Sequence, residues 1–124
     1  MISLSKIAEA FEFFNTSVYE DRRYFNAEVL GKFYEYGIGT EQNFEKAIKC
    51  YKLAYERGRN NAALMSLGSI YYYGIGVEKD IGKAYEYYKI AAEKGNPAAF
   101  NKLGNMYLRG IHVEKDLNEA LSYL

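Results

Sequence analysis

The sequence predicts an all-α solenoid built from antiparallel helix hairpins. The pattern L-G-x-x-Y-x-x-G occurs at Leu30–Gly37, Leu67–Gly74 and Leu103–Gly110, at start-to-start spacings of 37 and 36 residues. Each period holds two stretches with apolar residues at helical spacing, separated by glycines. A fixed period of that size belongs to stacked helix pairs, not to a globular enzyme with one central cleft.

The elements follow in order. In the leading segment, Ala10, Phe11, Phe14 and Ser17 fall on Ala47, Ile48, Tyr51 and Ala54 when shifted by 37. Residues 4–17 therefore read as a lone second helix inside a degenerate half repeat, 4–25. Repeat 1 (26–60) has a first helix ending at Gly37 and a second helix capped by Asn43 and stopped by Gly58. In repeat 2 (61–96) the first helix starts near Asn61, carries Ala63, Leu67, Ile70 and Tyr71, and ends at Gly74. Glycine there enters the left-handed conformation that closes a helix. Asp80 caps the second helix, whose face is Ile81, Ala84, Tyr85, Tyr88 and Ala91; Lys94 suits its C-terminal dipole and Gly95 stops it. Asn96-Pro97 then opens repeat 3 (97–124) with a capping side chain and a proline at the first helical position. Asp116 with Glu119 makes a capping box, and the chain stops at Leu124, the counterpart of Tyr51 and Tyr88.

Gly31, Gly68 and Gly104 lie inside helices, where each costs up to about 1 kcal/mol relative to alanine. Three such costs at one phase imply a neighbouring helix that approaches too closely for a side chain.

Composition excludes several classes of function. Sixteen basic residues balance sixteen acidic ones, scattered along the chain, with Arg22–Arg23 the densest basic spot. That leaves no nucleic-acid footprint and no membrane-surface patch. The N-terminal residues are broken by Lys6 and Glu9 before any signal-peptide length is reached, and no stretch approaches the roughly 20 apolar residues of a membrane span. With Cys50 the single cysteine, a cytoplasmic location is expected.

Candidate chemical residues read as structural. His112, the one histidine, stands at the phase of Gly39 and Gly76, where positive φ is needed; without a second histidine or a cysteine nearby, a metal site lacks ligands. Cys50 stands at the phase of Phe13, Tyr87 and Tyr123 and reads as core packing, since the histidine that would activate it lies in another repeat. The G-I-G-T and G-I-G-V stretches follow helices and lack the third glycine of a dinucleotide loop. No catalytic residue, metal or cofactor is expected.

The run from Ala62 to Gly95 closely resembles the Sel-1-like repeat, a relative of the tetratricopeptide repeat. The matching elements are Ala63, Leu67-Gly68, Tyr71, Gly74-x-Gly76-Val77, Lys79-Asp80, Ala84, Tyr88, Ala91-Ala92 and Gly95. Departures are Asn26 where Ala63 and Ala99 stand, Thr40 for Val77, Gln42-Asn43 for Lys79-Asp80, and His112 for glycine. The resemblance implies a right-handed superhelix with first helices on a concave face, and a role as an adaptor in macromolecular assembly. Some members are immunity proteins that neutralise a toxin or enzyme. Cysteine-rich secreted members look like β-lactam-binding or hydrolysing proteins, but paired cysteines are missing here.

Tyr34, Tyr71 and Tyr107 at the motif position, with Tyr51 and Tyr88, are expected inside. Tyr36 and Tyr73 precede the terminating glycine, at a phase that is Arg109 in repeat 3. They define stripes on the first helices: Val29/Lys32/Tyr36, Ser66/Ser69/Tyr73 and Lys102/Asn105/Arg109, flanked by Glu35, Tyr72 and Leu108. These phases differ between repeats while the motif stays fixed, as expected of a surface free of packing duties. Tyrosine and arginine dominate binding energy at interfaces. The expected partner is a protein or peptide seated in the groove. The alternatives are an inhibitor or immunity role, a β-lactam-type hydrolase, and, against the neutral charge, RNA binding. Leu117, Leu121 and Leu124 on the short last helix suggest a homodimer through that end.

Overall fold

The computed structural model describes residues 3–124, so the first two residues of the expected 1–124 domain lie outside it. All regular structure among the described residues is helical: α1 (Leu4–Tyr19), a 3-10 turn (Tyr24–Asn26), α2 (Ala27–Tyr36), α3 (Phe44–Glu56), α4 (Ala62–Tyr73), α5 (Ile81–Glu93), α6 (Pro97–Arg109) and α7 (Leu117–Tyr123). The all-α helical-repeat fold expected from the periodicity is the fold found. Two compact units divide the chain, Met1–Ala63 and Leu64–Leu124.

In the first unit, α1 is capped by Ser3, whose hydroxyl accepts from the Lys6 N–H, and runs two residues past the expected end. It packs on α2, which pairs with α3. The 3-10 turn was not legible in the sequence. It forms where the chain reverses, with the Asn26 N–H donating to the Arg23 carbonyl. Asn26 fits at a small-residue position because its side-chain amide donates to the buried Ser17 hydroxyl at 2.6 Å.

Gly31 and Gly68 answer to an aromatic ring rather than to a helix backbone. A Cβ at Gly31 would lie 2.7 Å from Cε1 of Tyr51, itself fully buried. In the second unit the same phase repeats: a Cβ at Gly68 would lie 2.5 Å from Cε1 of Tyr88. At Gly104 the corresponding atom belongs to Leu124, 3.0 Å away. The rings of Tyr51 and Tyr88 thus lie against the bare backbones of α2 and α4, and Leu124 takes that place against α6.

The caps stand where expected. Asn43, Asp80 and Asp116 accept from the N–H groups of Lys46, Lys83 and Glu119, and Asn96 accepts from Ala98 and Ala99. The reciprocal half of the capping box at Glu119 is not made. The Asp116 N–H is already taken by the Tyr107 carbonyl at 3.0 Å, just as Asn43 donates to Tyr34 and Asp80 to Tyr71. The motif tyrosine therefore fixes the loop through its backbone as well as its ring.

Gly37, Gly74 and Gly110 adopt left-handed φ values of 67°, 65° and 68°, and His112 (68°) matches Gly39 (70°) and Gly76 (68°), as its phase predicts. Gly58 departs from its expected likeness to Gly95. Gly95 is left-handed, but after α3 that conformation falls one residue later, on Arg59. Gly58 is needed instead for close approach, since a Cβ there would meet the Tyr24 carbonyl oxygen at 2.6 Å.

Gly68→Ala should lower stability by about 1–3 kcal/mol, although alanine raises intrinsic helix propensity by about 1 kcal/mol. Urea denaturation checks this, and an unchanged or raised midpoint would contradict the packing account.

Candidate protein-interaction face

The sequence-predicted site residues divide into those the fold consumes and those it leaves outward. In the first unit, α2 presents Lys32 and Tyr36 to solvent, Tyr36 at 60 % exposure, with Val29 half-buried. Glu35, expected to be free of packing duties, is only 9 % exposed. Its Oε1 accepts a 2.6 Å hydrogen bond from the Tyr51 hydroxyl, and its backbone carbonyl accepts from the Gln42 side chain at 2.8 Å. Glu35 is therefore a core partner of Tyr51. The neighbouring carboxylate also raises the pKa of Tyr36, with burial as a lesser cause.

In the second unit, Ser69 takes the corresponding task, its hydroxyl lying 3.2 Å from that of Tyr88. That leaves Tyr72 and Tyr73 packed edge to face at 4.8 Å, with Tyr73 59 % exposed. Lys102 of α6 lies over both rings, its Nζ 5.9 Å from the Tyr72 centroid and 5.6 Å from that of Tyr73, and donates to the Tyr73 hydroxyl at 3.3 Å. Leu108 and Arg109 at the end of α6 are exposed, while Ser66 and Asn105 are half-buried. Neither α4 nor α6 carries an acidic residue, so this face combines aromatic rings with two cations.

Of the motif tyrosines, Tyr34 is buried, but Tyr71 and Tyr107 are only half-buried, short of the expected interior position. Each is held by a ring stack instead, Tyr71 on Tyr87 and Tyr107 on Tyr123. The Tyr107 hydroxyl lies 2.8 Å from that of Tyr85, and this bond, followed by burial, pushes its pKa up to about 12.

Cys50 is fully buried, with the Tyr19 hydroxyl 3.6 Å from Sγ, and burial raises its thiol pKa. A thiol kept protonated packs rather than attacks. His112 tilts against Tyr85 at 5.2 Å. No group of three or more His, Cys, Asp or Glu among the described residues is arranged to hold a metal ion, and no helix among them is long and apolar enough to cross a membrane. Leu117 and Leu121 on α7, and Leu124 just after it, are exposed. Sequence reasoning missed a cleft in the first unit lined by Arg22 and Arg57; its one visible trace was the Arg22–Arg23 pair.

The repeats, their glycine–ring packing and their outward aromatic face define a helical-repeat protein. Residues 29–58, 61–96 and 97–124 each match the Sel1 repeat, and the chain belongs to the Sel1-repeat family. It is similar to a Sel1 repeat protein from Oxalobacter formigenes (TM-score 0.82, 32 % identity, over 94 % of this chain and 46 % of that one). It is also similar to a protective antigen of uropathogenic Escherichia coli with the same repeat fold (TM-score 0.81, 27 % identity, over 94 % of this chain and 25 % of that one). An uncharacterised Sel1-like repeat-containing protein of Schizosaccharomyces pombe is 45 % identical over 38 residues, which are 31 % of this chain and 6 % of that protein. The chain thus spans less than half the length of each of these relatives. Proteins with this repeat generally act as protein-interaction scaffolds.

Burial raises the pKa of Tyr51 and of Tyr88, whose side chains are fully buried. In the unfolded chain a tyrosine ionises near pH 10. Below that pH both states hold the proton and stability is complete; above it only the unfolded state ionises, so stability falls. Each such tyrosine should remove about 1.4 kcal/mol per pH unit above 10. Urea midpoints measured across alkaline pH, with tyrosinate absorbance followed in parallel, check this. Midpoints that stay level well above pH 10 would contradict it.

Proposed function

We propose that the chain is a non-catalytic scaffold that holds a protein or peptide on the outward face of its first helices. The observation that carries this reading is the Tyr72–Tyr73–Lys102 cluster. Two tyrosine rings and an ammonium are gathered from different helices, and the ring of Tyr73 remains mostly in solvent. Tyrosine supplies large, stiff, amphipathic contact area at low entropic cost. Lys32 and Tyr36 offer the same pairing of residue types on α2 of the first unit.

Mechanistically, this is preorganisation. The backbones of α2 and α4 are fixed at one end by a left-handed glycine and along the inner side by a buried ring, so few degrees of freedom remain to be lost on binding. An exposed helix or an extended segment is the matching ligand, as both present side chains at regular spacing. Family membership supports the general role, and the exposed stripes support this particular surface.

Replacing Tyr36, Tyr73 and Arg109 together by alanine should leave helicity unchanged and weaken partner binding by roughly 1–3 kcal/mol. The check is affinity capture from host lysate with both baits, followed by titration of the purified partner. A stoichiometric partner held equally by both would move the interface to another surface.

A further inference from the structure

The first unit contains a cleft of about 450 Å³ that the scaffold reading leaves unused. Its walls come from three places. The end of α1 supplies Val18 and Tyr19, the turn and 3-10 segment supply Arg22 and Tyr24, and the end of α3 supplies Leu53 and Arg57. No carboxylate lines it, although Glu20 and Asp21 directly precede Arg22 in the chain.

One contact marks Arg57 as placed for a ligand. The Arg57 guanidinium lies over the Tyr24 ring at 5.6 Å, which holds it on one wall. Arg22 adopts a left-handed φ of 55°, a conformation costly for a residue with a side chain and free for glycine. The turn after α3 places Arg59, at the same phase of the repeat, at φ 54°.

Arg22 and Arg57 both line this cleft, and guanidinium forks bind phosphate oxygens in pairs. The Tyr19 ring and the Val18 and Leu53 side chains add an apolar wall beside that anion position. The geometry points to a binding site for a small phosphate monoester with an aromatic body, its phosphate held by Arg22 and Arg57 and its ring against Tyr19.

The test is NMR titration of the full chain with inorganic phosphate and with phenyl phosphate, repeated on Arg22→Gly and Arg57→Gln. The expected result is saturable, millimolar-range shifts centred on residues 18–24 and 53–57, with phenyl phosphate about tenfold tighter than inorganic phosphate. Both variants should bind at least about tenfold more weakly. Arg22→Gly relieves the left-handed strain, so its melting temperature should hold or rise, which separates lost binding from lost folding. Absence of saturable shifts in the wild-type chain would overturn the proposal, as would shifts unaltered in the variants. Equal affinity for the two phosphates would overturn the aromatic-body assignment.

Discussion

Much of this structure depends on a missing atom. Because Gly31 and Gly68 have no Cβ, the rings of Tyr51 and Tyr88 lie directly on the first-helix backbone and are fully buried. Each buried ring takes its hydroxyl out of water, so a polar group has to meet it. In the first unit Glu35 does so, and in the second Ser69. These partners come from different phases of the repeat, and the choice decides what faces outward. Where Glu35 is consumed, Lys32 is left in solvent; where Ser69 is consumed, Tyr72 is left to pack against Tyr73 under Lys102. The core thus shapes the chemistry of the outward surface.

A second constraint is made by the backbone. The carbonyls of Tyr34, Tyr71 and Tyr107 accept the N–H of the residue capping the following helix, and two left-handed residues shape each loop between. One side chain at each loop's end and one carbonyl at its start fix the register of both helices. Side chains held on such helices are placed more precisely than side chains on loops.

The cap residues, the glycine stops after the first helices and the left-handed His112 were legible because each follows from a local rule that recurs at a known phase. Other features were hidden because they depend on what lies across the hairpin. Glu35 reads as an exposed helix charge until the length of Tyr51 is known to reach it. Gly58 reads as a helix stop, whereas the spacing after α3 moves the left-handed residue to Arg59 and leaves Gly58 facing the Tyr24 carbonyl. The capping box failed for the same reason, since the Tyr107 carbonyl reached the Asp116 N–H first. The outward stripe was legible as a phase. The gathering of Tyr72, Tyr73 and Lys102 was not, because it joins residues from two helices.

The functional reading rests on rigid first helices, and their rigidity rests on the fit between glycine and ring. A double-mutant cycle of Gly68→Ala with Tyr88→Leu, read by urea denaturation, measures that fit. At Gly104 the same position faces Leu124, with the nearest atom at 3.0 Å rather than 2.5 Å, so a smaller side chain gives the Cβ more room. The account predicts that alanine at position 68 is much less destabilising once Tyr88 is leucine, with a coupling of about 1 kcal/mol or more. Additive effects would contradict it, and with it the claim that one absent side chain sets the geometry of the interaction face.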